Sequence, residues 1–431
     1  MIRRIVVDLT PLLPDGTNGG AKQITLNLLE RMSRLAPEVE FVLLTASDGH
    51  ADLAALDGRN VSRRCVLDRS PRPVPTPRGP SATSSPSWRS RARRALAPVL
   101  PPRAMQWLDH TYVKAVNRRA RPTRVVSELG GDLLLCPFTA PYYHDPAVPP
   151  IPIVMQLVFD AYPQFFDAEQ RFFRHRDLTW ATRVATTVAC LSDFVRDRVL
   201  EFGRLPDERA VTIRPRTYRR LAELSAADAA RIVAPLGLEG GDFLVYPANF
   251  WPHKNHALLV TAFAMYCAAN PDSRLKLVLP GQPDAARATL RDATARMGLA
   301  ERVLFPGYAS ENEMAALYRA SVGLVFPSLY EGFGLPLLEA MALGVPVLAS
   351  DMTCIPEVAG DAALYFDPRI PRSIVSAIER LCAEPELRQR LIAAGRAQAA
   401  SLGDPDDEAR EYLDLFCGVV DRARRRHAKV A

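Results

Sequence analysis

Between residues 243 and 349 short apolar runs (243–246, 275–279, 303–305, 322–326 and 345–349) alternate with longer segments of helical spacing. None of these runs alternates apolar with polar residues, as a strand with one wet face would. Strands that are apolar on both faces must be covered on both faces, which calls for a parallel sheet wrapped by helices. Such a doubly wound sheet takes its ligands at the carboxyl ends of its strands, where loops run into helix N-termini. The start of the chain has the same character. Residues 5–7 are apolar, 11–20 form a Gly- and Pro-containing loop, Ile24, Leu28, Met32 and Leu35 recur at helical spacing, and 41–44 are apolar again. The expected fold is α/β, with two doubly wound domains facing each other across a cleft. The expected division is 1–220, 221–403, and a closing helix with a basic tail at 404–431.

Length agrees, since 431 residues exceed one ordinary domain and suit two. With 48% hydrophobic and 24% charged residues the composition is that of a globular protein. No apolar run reaches the roughly 18 residues of a membrane span. Residues 1–10 read as a first strand rather than a signal peptide, because no small-residue cleavage site follows. The seven cysteines are scattered and odd in number. They fit neither a disulfide framework nor a zinc site, and suit a reducing cytoplasm.

Charge is uneven. The net charge is +6, yet residues 63–124 hold 15 Arg or Lys against two Asp, so the remainder is mildly acidic. This basic Pro/Arg-rich insertion reads as a loop at 70–102 followed by a helix at 105–116. With Arg422, Arg424, Arg425 and Arg426 it suits an anionic membrane surface, which would make the protein peripheral on the inner face of a membrane. A solvated arginine-rich loop is the equal alternative. Nucleic acid is not expected as a partner, since the segment has no ordered aromatic platform.

Three local patterns carry chemistry. The first is Glu331-Gly332-Phe333-Gly334-Leu335-Pro336-Leu337-Leu338-Glu339, between an apolar run and a helix. Gly332 and Gly334 let backbone approach a ligand closely, and Pro336 suits a helix start. The amides of Phe333, Gly334 and Leu335 would then point at a phosphate. A carboxylate accepts two hydroxyl hydrogen bonds in fixed geometry, so Glu331 and Glu339, with Glu339 in the first turn, suit a transferred sugar and a ribose. A Glu pair at this spacing alone would be an ordinary surface pair. The glycines, the proline and the strand–loop–helix setting make it a site. The second pattern, Phe250-Trp251-Pro252-His253-Lys254-Asn255, sets Lys254 at a helix entrance, where a cation opposes the dipole and so suggests an anionic ligand. The third is Gly19-Gly20 before the first helix, either a phosphate or acceptor contact or a plain turn. Asp404-Pro405-Asp406 is spaced like the metal-binding aspartates of other sugar transferases. It follows Gly403 and opens a helix, so it reads as an N-cap. No metal and no cofactor is expected.

With these residues, 243–368 resembles glycosyltransferase family 4, the group 1 glycosyl transferases. The stretches that carry the resemblance are YPANFWPHKNH, LVFPSLYEGFGLPLLEAMALGVPVLASD and PEVAGDAALYFDP. The N-terminal half matches in patches: GGA, DLLLCPFTAPYYHDP, YPQFFD and SDFVRDRV. The resemblance implies the GT-B architecture of two facing Rossmann-like domains, the N-terminal one on the acceptor side and the C-terminal one binding a nucleotide sugar. It implies that Lys254 binds the donor diphosphate, Glu331 the donor sugar with the following amides, and Glu339 the ribose. Transfer would retain the anomeric configuration, with no dedicated protein base. Two positions depart from the family pattern. Asn249 stands where many members have an arginine, although it remains on the donor side. Phe159 stands where many have a histidine, ahead of Asp160, which matches the acid of that pair. The expected activity is transfer of a hexosyl group, such as mannose from GDP-mannose, to a saccharide or lipid-linked saccharide in surface polysaccharide synthesis. A sugar-nucleotide epimerase, or an inactive scaffold of the same fold, is the alternative.

Overall fold

The computed structural model describes residues 2–14, 18–69, 122–216, 221, 224–238 and 241–430, the last five by backbone alone. The expected loop at 70–102 and helix at 105–116 lie outside these residues, as does most of the basic insertion.

Two parallel sheets are present. The first has seven strands: β1 (Arg4–Asp8), β2 (Glu40–Ala46), β3 (Val61–Leu67), β4 (Leu133–Cys136), β5 (Pro150–Val154), β6 (Val188–Cys190) and β7 (Ala210–Thr212). Their order is β3-β2-β1-β4-β5-β6-β7. The second has six: β8 (Phe243–Val245), β9 (Lys276–Val278), β10 (Val303–Leu304), β11 (Gly323–Phe326), β12 (Val347–Ser350) and β13 (Ala363–Phe366), in the order β10-β9-β8-β11-β12-β13. Every pairing between these strands is parallel.

The lack of alternation now has its cause. On β1, Ile5 and Val7 pack beneath helix Gly20–Leu35 with Leu28 and Met32, while Val6 packs on the other face with Val42, Leu44 and Leu134. Both faces are dry, so both parities are apolar. Each sheet reverses its winding once, between β1 and β4 in the first and between β8 and β11 in the second. The architecture is two facing Rossmann-like domains, the GT-B arrangement.

Element ends differ from the sequence reading where local signals compete. A helix was expected at 172–188; the helix is Ala168–Val184, and β6 begins at Val188. A capping box between Asp167 and Gln170 fixes its start. Pro336, read from sequence as a helix start, is the second residue of helix Leu335–Ala342.

The last helix, Pro405–Val430, returns to the first domain and lies along Gly20–Leu35. Tyr412 and Phe416 are fully buried there, and Arg31 and Arg34 both pair with Asp406. Asp404 Oδ1 accepts the Asp406 N–H at 2.8 Å, so Asp404 caps this helix. All seven cysteines are free thiols. Among the described residues no helix is long and apolar enough to cross a membrane.

Candidate active site

The reversal between β8 and β11 opens a crevice at the strands' carboxyl ends, and the two loops that leave those strands line it. Behind β8, Pro252–Lys254 makes a single 3-10 turn. Asn255 then adopts the left-handed conformation (φ 62°), and helix His256–Ala269 begins. The Asn255 amide donates to the carbonyls of Pro327 (3.1 Å) and Pro368 (2.8 Å), which ties this loop to the one behind β11. The hydroxyl of buried Tyr246 donates to the Lys254 carbonyl at 3.0 Å and bonds Ser328 Oγ at 2.9 Å. Two loops distant in sequence are thus held as one unit.

Within that unit Lys254 Nζ donates to Glu331 Oε1 at 2.6 Å, with side-chain exposures of 15% and 7%. The Glu331 N–H donates to Thr353 Oγ1 at 3.2 Å, and Thr353 itself has φ 60°. Glu339 is also buried, and its Oε2 accepts the Tyr318 hydroxyl at 3.2 Å. Because the helix begins at Leu335, Glu339 is its fifth residue and lies beyond the first turn expected for it. Its carboxylate therefore lies too far along to complement the helix dipole, and it is fixed by Tyr318. Burial, reinforced by the Lys254 charge, drives His253 and His256 down to about 3. Both rings are neutral at physiological pH, so the positive charge of this loop resides on Lys254.

The glycines divide in role. Gly334 takes φ +96° and forms the N-cap of helix Leu335–Ala342 with no side-chain cap; Pro336 brings no N–H to the first turn, and the Leu337 N–H donates to the Gly334 carbonyl at 3.0 Å. Gly332 corrects the sequence reading. A Cβ there would fall 1.6 Å from the carbonyl oxygen of Met155, so its bareness admits the first domain's backbone and not only a ligand. Phe333 is buried and belongs to the core, so its amide is the part of it that can serve a ligand. Gly19 (φ +53°) lies against Trp251 and Asn249, and Gly20 against Leu335. Asn249 Oδ1 accepts the Gln282 N–H at 3.3 Å.

Lys254, Glu331, Asn249, Leu335, Gly19 and Gly20 therefore gather in one region between the domains. Asp160 is exposed on the short helix Val158–Ala161, and its charge is felt at Tyr330. Phe159 is buried, edge-on to His175 at 5.0 Å and to Phe202 at 6.4 Å. That position is core rather than cleft. A cavity of about 490 Å³ lined by Gly241, Arg319, Val322, Pro346, Cys382 and Arg388 lies at the opposite ends of the strands and has no part in this crevice. The sequence reading missed Tyr318, Thr353 and Ser328, whose partners are distant in sequence. It also missed Ser192, although a serine ahead of a helical run is an N-cap signal.

Comparison with known proteins gives this crevice a context. The glycosyl transferases group 1 family matches residues 230–398. O-antigen chain mannosyltransferase B of Escherichia coli is 29% identical over 237 residues, 55% of this chain and 62% of that protein. D-inositol 3-phosphate glycosyltransferase of Frankia alni is 34% identical over 185 residues, 41% of this chain and 46% of that protein. The chain thus spans between about half and two thirds of the length of these relatives. Among solved structures, Anabaena HepE in complex with UDP-glucose superposes with a TM-score of 0.69 at 17% identity, covering 96% of this chain and 99% of HepE. WaaG, a glycosyltransferase involved in lipopolysaccharide biosynthesis, gives 0.66 at 14% identity, covering 96% of this chain and all of WaaG. The match to the glycosyl transferases group 1 family thus lies in the C-terminal domain, on a GT-B fold.

Proposed function

We propose that this protein transfers a hexosyl group from a nucleotide-sugar donor to a saccharide or lipid-linked saccharide acceptor, with retention of anomeric configuration. The observation that carries this reading is the meeting of Lys254 and Glu331 at 2.6 Å beside an uncapped helix N-terminus, where the second sheet reverses its winding. Such a crevice offers an ammonium and a helix N-terminus to a diphosphate and a carboxylate to a sugar. In the ligand-free arrangement Lys254 neutralises Glu331. An entering diphosphate competes for the ammonium and releases the carboxylate to hydroxyl groups. As the bond from the anomeric carbon to the phosphate oxygen breaks, the acceptor oxygen attacks from the same face. The departing phosphate oxygen takes the acceptor's proton, so no protein base is needed.

Mannose is the first candidate sugar, and GDP-mannose the first candidate donor. Support comes from mannosyltransferases of O-antigen synthesis among the relatives. UDP-glucose in HepE supports a nucleotide-sugar donor more broadly. No metal or cofactor enters this reading. Peripheral attachment to an anionic membrane is part of the proposal and rests on the charge of residues 63–124. Of the tail arginines, Arg424 pairs with Asp132 at 2.7 Å and Arg422 donates to Thr187 Oγ1 at 3.5 Å, so part of that charge is engaged internally. Flotation with anionic liposomes tests attachment, and the absence of salt-sensitive binding would remove it.

One observation favours the scaffold alternative: both acids are sealed, Glu331 at 6% and Glu339 at 7% exposure. A panel of nucleotide sugars, assayed for hydrolysis and for transfer, separates the two readings. Turnover of any donor excludes the scaffold. Nucleotide binding without turnover of any donor would establish it.

A further inference from the structure

We propose that Ser192 and Glu357 are positioning residues that fasten the donor loop to the first domain, so that the placement of Glu331 is set from across the cleft. The proposal rests on the donor reading given above.

Helix Asp193–Gly203 of the first domain begins at the interface. Its N-cap, Ser192, is fully buried and accepts the Val195 N–H at 3.2 Å. The same hydroxyl donates its proton to the Gly332 carbonyl at 2.8 Å, across the domain boundary. The N–H groups of Asp193 and Phe194 remain, and one side chain of the second domain takes both. Glu357 Oε1 accepts from Asp193 at 2.8 Å, and Glu357 Oε2 accepts from Phe194 at 3.0 Å. A carboxylate on a helix N-terminus gains from the dipole as well as from the hydrogen bonds. Arg214 Nε donates to the same Oε1 at 3.1 Å, and its guanidinium also pairs with Asp193.

These contacts reach the site by a short route. Gly332 directly follows Glu331, and its α-carbon lies against the Met155 carbonyl, where no larger residue fits. Thr353, four residues before Glu357, accepts the Glu331 amide proton. One segment, 353–357, thus holds Glu331 on one side and helix Asp193–Gly203 on the other. Tyr162 adds a longer contact, its hydroxyl 3.4 Å from the Leu329 carbonyl. Here the first domain grips the backbone of the residue beside the sugar-holding acid. Displacement of such a group by about 1 Å costs on the order of 10²-fold in rate.

The test uses the full chain with Ser192→Ala, Ser192→Thr and Glu357→Gln. Hydrogen exchange by mass spectrometry reads the amides of 329–335, of which Leu329 and Glu331 donate hydrogen bonds. Ser192→Ala and Glu357→Gln are expected to raise exchange there about tenfold, the scale of one buried hydrogen bond. Ser192→Thr keeps the hydroxyl and is expected to stay within threefold of wild type. In the same variants kcat is expected to fall about tenfold or more, while Kd for GDP and UDP stays within twofold. Unchanged exchange in both Ser192→Ala and Glu357→Gln overturns the proposal, as does a lowered Tm with kcat intact. If the wild type turns over no nucleotide sugar, the donor reading fails, and the exchange measurement still decides whether the two residues fasten the loop.

Discussion

Under the proposed function, transfer depends on the pair Lys254 and Glu331. A departing diphosphate gains charge as the glycosidic bond breaks, so an ammonium beside it stabilises the transition state more than the ground state. Lys254→Ala is expected to lower kcat/KM by roughly 10²–10³ in a steady-state transfer assay. Glu331→Ala should reduce kcat with little change in nucleotide Kd, whereas Glu339→Ala should weaken nucleotide binding by calorimetry and change kcat less. Small, equal effects of all three would contradict the assignment. These residues were legible because their chemistry is written in local spacing: two acids flanking Gly-x-Gly-x-Pro, and a lysine at a helix entrance. Their supports were not legible. Tyr318 lies 21 residues from Glu339, and Thr353 lies 22 from Glu331, so only the folded sheet brings them together. Phe159 shows the opposite error. The family resemblance set it only where many members have a histidine, and packing against His175 and Phe202 puts it in the core.

The loop behind β11 is the element in which fold and function meet. Gly334 needs its left-handed backbone to start helix Leu335–Ala342, and Gly332 needs its missing Cβ to admit Met155. The two substitutions should therefore fail differently. Gly332→Ala is expected to push the domains apart and reduce kcat/KM by about 10² or more, with the second domain still folded. Small-angle scattering should register a larger radius of gyration. Gly334→Ala strains only the helix start, at about 1–2 kcal/mol, and should lower Tm without changing the scattering. An unchanged radius for Gly332→Ala would show that the loop yields rather than the domains. Five of the six strands of the second sheet, β8 to β12, were legible because their runs lack apolar–polar alternation, whereas β13 (Ala363–Phe366) was not read as a strand. Helix ends were less so. Helix Ala168–Val184 and β6 are separated by only Ala185, Thr186 and Thr187, with no Gly or Pro to mark the break, so the two read as one element. The start of helix Leu335–Ala342 was legible to within one residue, because Pro336 marks a first turn.

Across the whole molecule, buried titratable groups set opposing responses to pH in the two domains. In the first, Asp8 ends β1 with Oδ1 bonded to Thr10, and burial raises its pKa from 3.8 to about 6 despite those bonds. The folded state then holds a proton that the unfolded chain has lost between about pH 4 and pH 6, so this contribution to stability is full below pH 4 and is lost as pH rises through 6. In the second domain His253 and His256, neutral in the fold with values near 3, leave the unfolded chain binding up to two more protons below about pH 6.5. Their contribution is full above pH 6.5 and is lost as pH falls toward 3. Asp8 therefore offsets part of the acid sensitivity the histidines create. Asp8→Asn keeps the Thr10 bonds and removes the buried charge. It is expected to stabilise the protein by about 2–3 kcal/mol above pH 7, because 2.2 pKa units at about 1.4 kcal/mol each are no longer lost. The gain should shrink to nothing by pH 4, where Asp8 is protonated in both states. Urea denaturation at pH 7.5 and pH 4 reads the difference. A gain that is the same at both pH values would mean that packing, and not ionisation, governs Asp8. His256→Phe should flatten the acid limb independently, since the ring sits between Tyr246 at 4.9 Å and Phe250 at 4.5 Å and needs no charge there. Asp8 and His256 share no partner among the described residues, so their effects on stability should add within about 0.5 kcal/mol, and a larger discrepancy would show that the two sites are coupled through the fold.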